Sequence, residues 1–221
     1  NFLNKCGANI KVKNRTINIK GVEELNLEDY KVIPDRIEAG SYILATMATK
    51  GRLRLNNFNP NDLTFPLKIY QDMGLKIKKI SKTSYEFNCK RLKPTNKIST
   101  KEYPGYPTDL QAQLIATQLK SALKSKVVEN IFENRFIHIP ELRRFGANLS
   151  IIGKTVTIHK TLNLFGAEVM ATDIRASFSL IIAAMMSKGT TVINRIYHLD
   201  RGYEDFDLKL KKCGVNISRK K

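Results

Sequence analysis

The chain has 221 residues, long enough to bury a real core as one generous domain or two small ones, and its 42% hydrophobic share is ordinary for a globular protein. No apolar run is long enough to span a bilayer, the longest (Leu180 to Met186) being flanked by serines, and no secretory leader is visible. The net charge of +18 raises the question of nucleic acid, but lysine outnumbers arginine about two to one, the lysines are scattered, and no RNA-binding aromatic motif, zinc finger or clear helix-turn-helix is present.

In chain order, the sequence opens on Asn1-Phe2-Leu3-Asn4 without a starting methionine, part-way into what reads as a helix end, so a fragment or processed product is expected. Ile10 to Lys13 turns at Asn14-Arg15 and returns as Thr16 to Ile19, an alternation that predicts a half-buried antiparallel hairpin. Lys76 to Lys79 with Ser84 to Phe87 repeats the theme, as does Ser150 to Ile152, turning at Gly153-Lys154 and returning as Thr155 to His159. Ala39 to Ala48, Leu110 to Leu119 and Arg175 to Met186 predict helices; the last is apolar nearly all round, hence buried on every side. Ile139 to Phe145 and Phe206 to Lys212 read as surface helices ending at Gly146 and Gly214, residues suited to a left-handed cap. Thr191 to Ile193 predicts a strand.

These elements recur. An amphipathic stretch ends in glycine, a short extended segment follows (Gly7-Ala8-Asn9-Ile10, Gly74-Leu75-Lys76-Ile77, Gly146-Ala147-Asn148-Leu149), then a hairpin, an aspartate and a helix. A period of roughly 70 residues is too long for a solenoid and suits a small α/β module used three times. The expected fold class is α/β, with helices in the core and sheets outside. Asp35, Asp109 and Asp173 each precede one of the helices that share this slot. An aspartate there caps the helix, worth about 0.5–2 kcal/mol, and helix starts gathered on one cleft also attract phosphate.

Cys6, Cys89 and Cys213 are widely spaced, with no CxxC pair and no neighbouring histidine, so they read as ordinary buried or half-buried thiols in a reducing compartment. His159 is expected to face outward, while His138 and His198 are expected to fix local structure. Tyr103, Tyr106 and Tyr197 read as core or cleft lining. The surplus of positive charge is read as a solvated surface around a locally basic, anion-binding cleft.

Several blocks resemble the UDP-N-acetylglucosamine 1-carboxyvinyltransferases: Pro34 to Gly40, Pro104 to Gln113, Ile131 to Phe136, Ala171 to Ser177 and Arg195 to Glu204. The likeness runs from Asn1 to the C-terminus and is weakest from Leu53 to Lys101. It implies a two-domain enzyme about twice this length, each domain an inside-out barrel of three β-hairpin/helix units. This chain resembles the C-terminal half. Residues 1–33 would end the first, catalytic-loop domain, and residues 34–221 would form a second domain lacking strands supplied by the missing N-terminus. The family's Lys-Asn pair and loop cysteine lie outside this stretch, and none of the three cysteines here matches it.

The resemblance also implies chemistry, namely transfer of an enolpyruvyl group from phosphoenolpyruvate to the 3′-hydroxyl of UDP-N-acetylglucosamine with loss of phosphate, the first committed step of peptidoglycan synthesis. Asp109 would hold the sugar and take the hydroxyl proton, since a positioned carboxylate can do both. Ile131 would contact the sugar through its backbone. Arg201 would grip phosphoenolpyruvate, a planar forked anion suited to a guanidinium. Arg135, Arg175, Asp173 and Asp35 would line the cleft. No metal or organic cofactor is implied; the expected partners are the two substrates and the missing half, with no nucleic acid or membrane, and the expected location is cytoplasmic. The fragment is expected to be inactive alone. Three alternatives stay open: a shikimate-phosphate enolpyruvyl transferase, a non-catalytic remnant that binds anions or a partner, and an RNA-binding protein.

Overall fold

The computed structural model describes residues 2–14, 16–121 and 123–220. Asn1 and Arg15, invoked above for the chain start and the first turn, lie outside them. The chain divides into two compact units, one ending at Pro34 and the other beginning at Asp35.

The first unit holds a single helical turn, α1 (Phe2–Lys5), and an antiparallel hairpin of β1 (Asn9–Lys13) and β2 (Thr16–Lys20). Asn4 fixes the entry to β1, accepting from the Ile10 N–H at 2.9 Å and donating to the Ile10 carbonyl at 2.7 Å. Register pairs Ile10 with Ile19 and Val12 with Ile17, so one face is wholly apolar. That face is not half-buried as the alternation predicts: Val12, Ile17 and Ile19 are 62–70% exposed. Alternation marks a face able to pack, and among the described residues of this unit nothing covers Val12, Ile17 or Ile19.

The second unit contains α2 (Arg36–Ala48), β3 (Arg52–Leu55), α3 (Thr64–Asp72), β4 (Lys76–Lys79), β5 (Tyr85–Asn88), β6 (Lys97–Ser99), α4 (Gln111–Gln118), β7 (Ser125–Val128), α5 (His138–Arg144), β8 (Leu149–Ile152), β9 (Thr155–Ile158), β10 (Glu168–Met170), α6 (Ile174–Met186), β11 (Val192–Asn194), α7 (Tyr197–Asp200) and α8 (Phe206–Lys212). Three helices, α2, α4 and α6, pack against one another at the centre. Gly40 to Met47, all of α4 and Ala176 to Ala183 are buried without a solvent face. Burying each Leu, Ile or Phe side chain there is worth about 1.5–3 kcal/mol. The serines survive in this setting by bonding back to their own helices, Ser41 to the Ile37 carbonyl and Ser177 to that of Asp173. Gly40 is small for a reason: a Cβ there would lie 2.6 Å from Leu110 Cδ1, so α2 approaches the start of α4 closely.

Sheets flank the helices. One is β3-β5-β4, wholly antiparallel; the second is β6-β7-β9-β8, in which β6 and β7 run parallel. Val156 and Ile158 of β9 are buried while Thr155 and Thr157 are partly exposed, the period-two pattern of a sheet with one dry face. The third is the parallel pair β10–β11. The repeat is thus regular: the strand after an inner helix takes the second strand of the next hairpin, β5 on β3 and β9 on β7. Among the described residues β11 takes none. The outer helices α3, α5 and α8 end at Gly74, Gly146 and Gly214, with φ of +106°, +88° and +89°, as expected of left-handed caps. Cys6 and Cys89 are buried, but Cys213, just past α8, is exposed, contrary to expectation. No helix among the described residues is long and apolar enough to cross a membrane.

Candidate active site

Two strand-helix-strand units, β6-α4-β7 and β10-α6-β11, send four chain segments off the C-terminal ends of parallel strands. Such ends are where α/β sheets present ligand groups, because the loops there are free of the pairing. Asp109 lies on the segment from β6, Arg135 beyond β7, Asp173 and Arg175 just past β10, and His198 and Arg201 past β11. With Thr172 and Ile174 these residues line one cleft of about 490 Å³.

The three aspartates behave differently. Asp35 caps α2, accepting from the N–H groups of Ile37 (2.7 Å) and Glu38 (3.2 Å). Asp173 caps α6, accepting from Arg175 and Ala176, both at 2.7 Å. Asp109 caps nothing. Its segment enters α4 through a 3-10 turn, Thr108–Leu110, and its carboxylate turns to the cleft. Arg135 donates to Oδ1 at 2.6 Å, and Arg175 Nε stands 4.0 Å from Oδ2. Both guanidiniums are steadied by rings, Arg135 over Phe132 at 4.9 Å and Arg175 over Tyr203 at 5.7 Å. Arg201 is exposed at the rim. Three guanidiniums thus face two carboxylates, one of them committed to a helix start, and the α6 N-terminus adds positive potential. The cleft favours an anion.

Asp35 does not join that cleft. It lines a neighbouring cavity of about 800 Å³ with Glu38, Asp200, Glu204, Asp205 and Asp207, which shares Arg201 with the first. Much of its acid is already neutralised: Lys209 holds Glu38 at 2.8 Å, and Arg219 binds Asp200 at 2.8 and 3.0 Å and Asp207 at 3.0 Å. Ile131 also stands apart from the lining residues, its N–H donated to Glu129 at 2.8 Å. Among the described residues no group of three or more His, Cys, Asp or Glu is placed to hold a metal.

Behind Arg175 the core is polar. Tyr203 stacks on Phe178 at 4.6 Å, and its hydroxyl meets Ser41 at 2.8 Å and Gln113 at 3.2 Å, so α2, α4 and α6 are tied together beneath the cleft. Of the tyrosines read as core or cleft lining, Tyr106 is fully buried, but Tyr103 and Tyr197 are 69% and 52% exposed, packed instead beside Arg36 and Arg195. His198 is expected only to fix local structure, yet it lines the cleft; its place a few residues past β11, in α7, is the available signal. His159 is partly buried against Ser150, Oγ to Nε2 at 3.1 Å, rather than free in solvent.

His138 is 1% exposed beside Arg135, and among the described residues neither ring nitrogen has a hydrogen-bond partner. Burial, with the Arg135 charge adding to it, pushes its pKa down to about 3. Between about pH 6.5 and pH 3 the unfolded chain therefore takes up a proton that the folded chain refuses, and stability falls as pH drops. We expect wild type to lose roughly 2 kcal/mol relative to His138→Leu between pH 7.5 and pH 5. Urea midpoints at the two pH values check this; parallel losses would contradict it.

Comparison with solved structures places the architecture among the enolpyruvyl transferases. The enolpyruvyl transferase NikO from Streptomyces tendae superposes with a TM-score of 0.84 at 24% identity, covering 97% of this chain and 52% of that one. EPSP synthase from Acinetobacter baumannii gives 0.76 at 15% identity, covering 100% and 54%. Residues 1–210 match the family model described as EPSP synthase (3-phosphoshikimate 1-carboxyvinyltransferase), and the chain belongs to that family. Similar curated proteins are the UDP-N-acetylglucosamine 1-carboxyvinyltransferases of Pelagibacter ubique (47% identity, 99% of this chain, 52% of that protein) and Bartonella henselae (48%, 98% and 51%). The chain spans about half the length of these relatives.

Proposed function

We propose that this chain is the C-terminal half of a cytoplasmic enzyme that transfers enolpyruvyl from phosphoenolpyruvate to the 3′-hydroxyl of UDP-N-acetylglucosamine. The observation that carries the chemistry is Asp109, free of capping duty and set between Arg135 and Arg175 in a cleft that Arg201 also lines. The choice of acceptor is supported by likeness to the nucleotide-sugar enzymes over nearly the whole chain.

The sugar hydroxyl adds to C2 of phosphoenolpyruvate while C3 takes up a proton. The tetrahedral adduct then loses phosphate from C2 and the proton from C3, restoring the double bond. Asp109 takes the hydroxyl proton through Oδ2, because Oδ1 already holds Arg135. Arg201 and Arg175 balance the carboxylate and phosphate charges. Ile131 offers the sugar its carbonyl, its N–H being committed to Glu129. Asp173 acts by holding the start of α6, and Asp35 borders the cleft only through the neighbouring cavity. Residues 1–33 end the catalytic-loop domain and 34–221 form most of the second. The edge of β11 left unpaired among the described residues supports a further antiparallel hairpin from the rest of the enzyme, on the pattern of β5 on β3 and β9 on β7.

Mixing the chain with the complementary half should release phosphate from phosphoenolpyruvate in the presence of UDP-N-acetylglucosamine, and neither half should do so alone. Turnover by this chain alone, or preference for shikimate 3-phosphate as acceptor, would overturn the reading.

A further inference from the structure

Glu129 stands outside every role given so far, yet it is the buried carboxylate nearest in sequence to the 131–135 segment. It is 2% exposed, and among the described residues no cation pairs with it. A buried carboxylate costs several kcal/mol unless its lone pairs are filled, so what fills them is informative. Four donors do. Oε1 accepts from Thr100 Oγ1 (2.9 Å), the Ile131 N–H (2.8 Å) and the Phe132 N–H (3.2 Å), and Oε2 accepts from Thr108 Oγ1 (2.8 Å). They come from three segments: the end of β6, the turn that carries Asp109, and the loop after β7 that carries Ile131. Thr100 Oγ1 in turn accepts from the Asn130 N–H at 2.8 Å, closing the knot.

Resting on the reading of the cleft given above, we propose that Glu129 is a positioning residue that locks the Pro107-Thr108-Asp109 turn to the 129–132 loop, so that the two groups assigned to the sugar, the Asp109 carboxylate and the Ile131 carbonyl, share one rigid frame. A carboxylate suits this task because it accepts from several donors at once, each bond strengthened by its charge. A merely local role would need only the Ile131 and Phe132 amides, two and three residues on. The Thr108 bond is what reaches the other segment, one residue before Asp109.

The test compares Glu129→Ala, Glu129→Gln and Thr108→Val in this 221-residue chain by residue-resolved amide hydrogen exchange, and by calorimetry with UDP-N-acetylglucosamine. In Glu129→Ala the Ile131 and Phe132 amides should exchange about tenfold faster or more, while Ile43, Ile115 and Ile181 in the central helices keep their protection. Glu129→Gln should recover most of that protection, because its amide oxygen still accepts. Thr108→Val cuts only the cross-tie: exchange should rise at Leu110, whose amide bonds the Pro107 carbonyl at 3.1 Å, and stay unchanged at Ile131 and Phe132. Both Glu129→Ala and Thr108→Val should weaken sugar-nucleotide binding about tenfold. The proposal is overturned if exchange rises equally in the central helices, if Ile131 and Phe132 do not respond to Glu129→Ala, or if Leu110 does not respond to Thr108→Val. Should Glu129→Ala fail to fold, Glu129→Gln and Thr108→Val decide the matter. Absence of wild-type binding alongside the expected exchange pattern would remove the sugar assignment and leave the tie standing.

Discussion

Asp109→Asn is expected to lower phosphate release by the complete enzyme by about two to four orders of magnitude, the usual contribution of a positioned general base. Asparagine keeps the shape and can still accept from Arg135 through its oxygen, so the cleft geometry should survive. What disappears, on the proposed mechanism, is the lone pair that takes the hydroxyl proton. The loss should fall mainly on kcat, with a smaller rise in KM for the sugar nucleotide, because the amide retains some capacity to bind a hydroxyl. Steady-state assay of the variant paired with the complementary half measures both constants. A kcat within tenfold of wild type would remove Asp109 from the proton transfer.

Phe178→Ala should have the largest effect on stability, a loss of about 3–5 kcal/mol and a thermal midpoint lower by roughly 10 °C. Phe178 is fully buried on α6, edge-on to Tyr42 of α2 at 5.4 Å and stacked on Tyr203 at 4.6 Å. Its ring fills the junction of two central helices and supports the tyrosine that stands behind Arg175. Alanine leaves a cavity that rigid helices on both sides cannot close. Phe178→Leu keeps more of the volume and should cost much less. Thermal melting by circular dichroism distinguishes them; an alanine variant melting within 2 °C of wild type, by the scale of about 2–4 °C per kcal/mol, would mean the three-helix junction is not packed as described.

Much of this architecture is legible in the sequence because its signals are local. Hairpin alternation at Ile10 to Ile19 and Ser150 to Ile158, helix ends at Gly146 and Gly214, and the all-apolar stretch of α6 each depend on residues a few positions apart. The aspartates at 35 and 173 read correctly as caps for the same reason. What escaped depends on neighbours distant in the chain. Asp109 resembles its two counterparts in sequence, yet Arg135, 26 positions on, takes its carboxylate. Glu129 gave no signal, since its partners are backbone amides and threonine hydroxyls that carry no pattern of their own. Tyr103 and Tyr197 looked like lining residues because aromatics usually are, but each packs on an arginine at the surface. The first hairpin shows the limit of periodicity most plainly: it tells which side chains share a face and nothing about whether that face is covered.

The unequal duties of the three aspartates have a consequence for how this molecule tolerates change. Asp35 and Asp173 each anchor the start of an inner helix, so neither can be altered without loosening that anchor. α4 is entered through a tighter turn and takes no such anchor from Asp109. On the proposed mechanism, a change at Asp109 would alter reactivity and leave both anchors in place, which separates what the protein does from what keeps it standing.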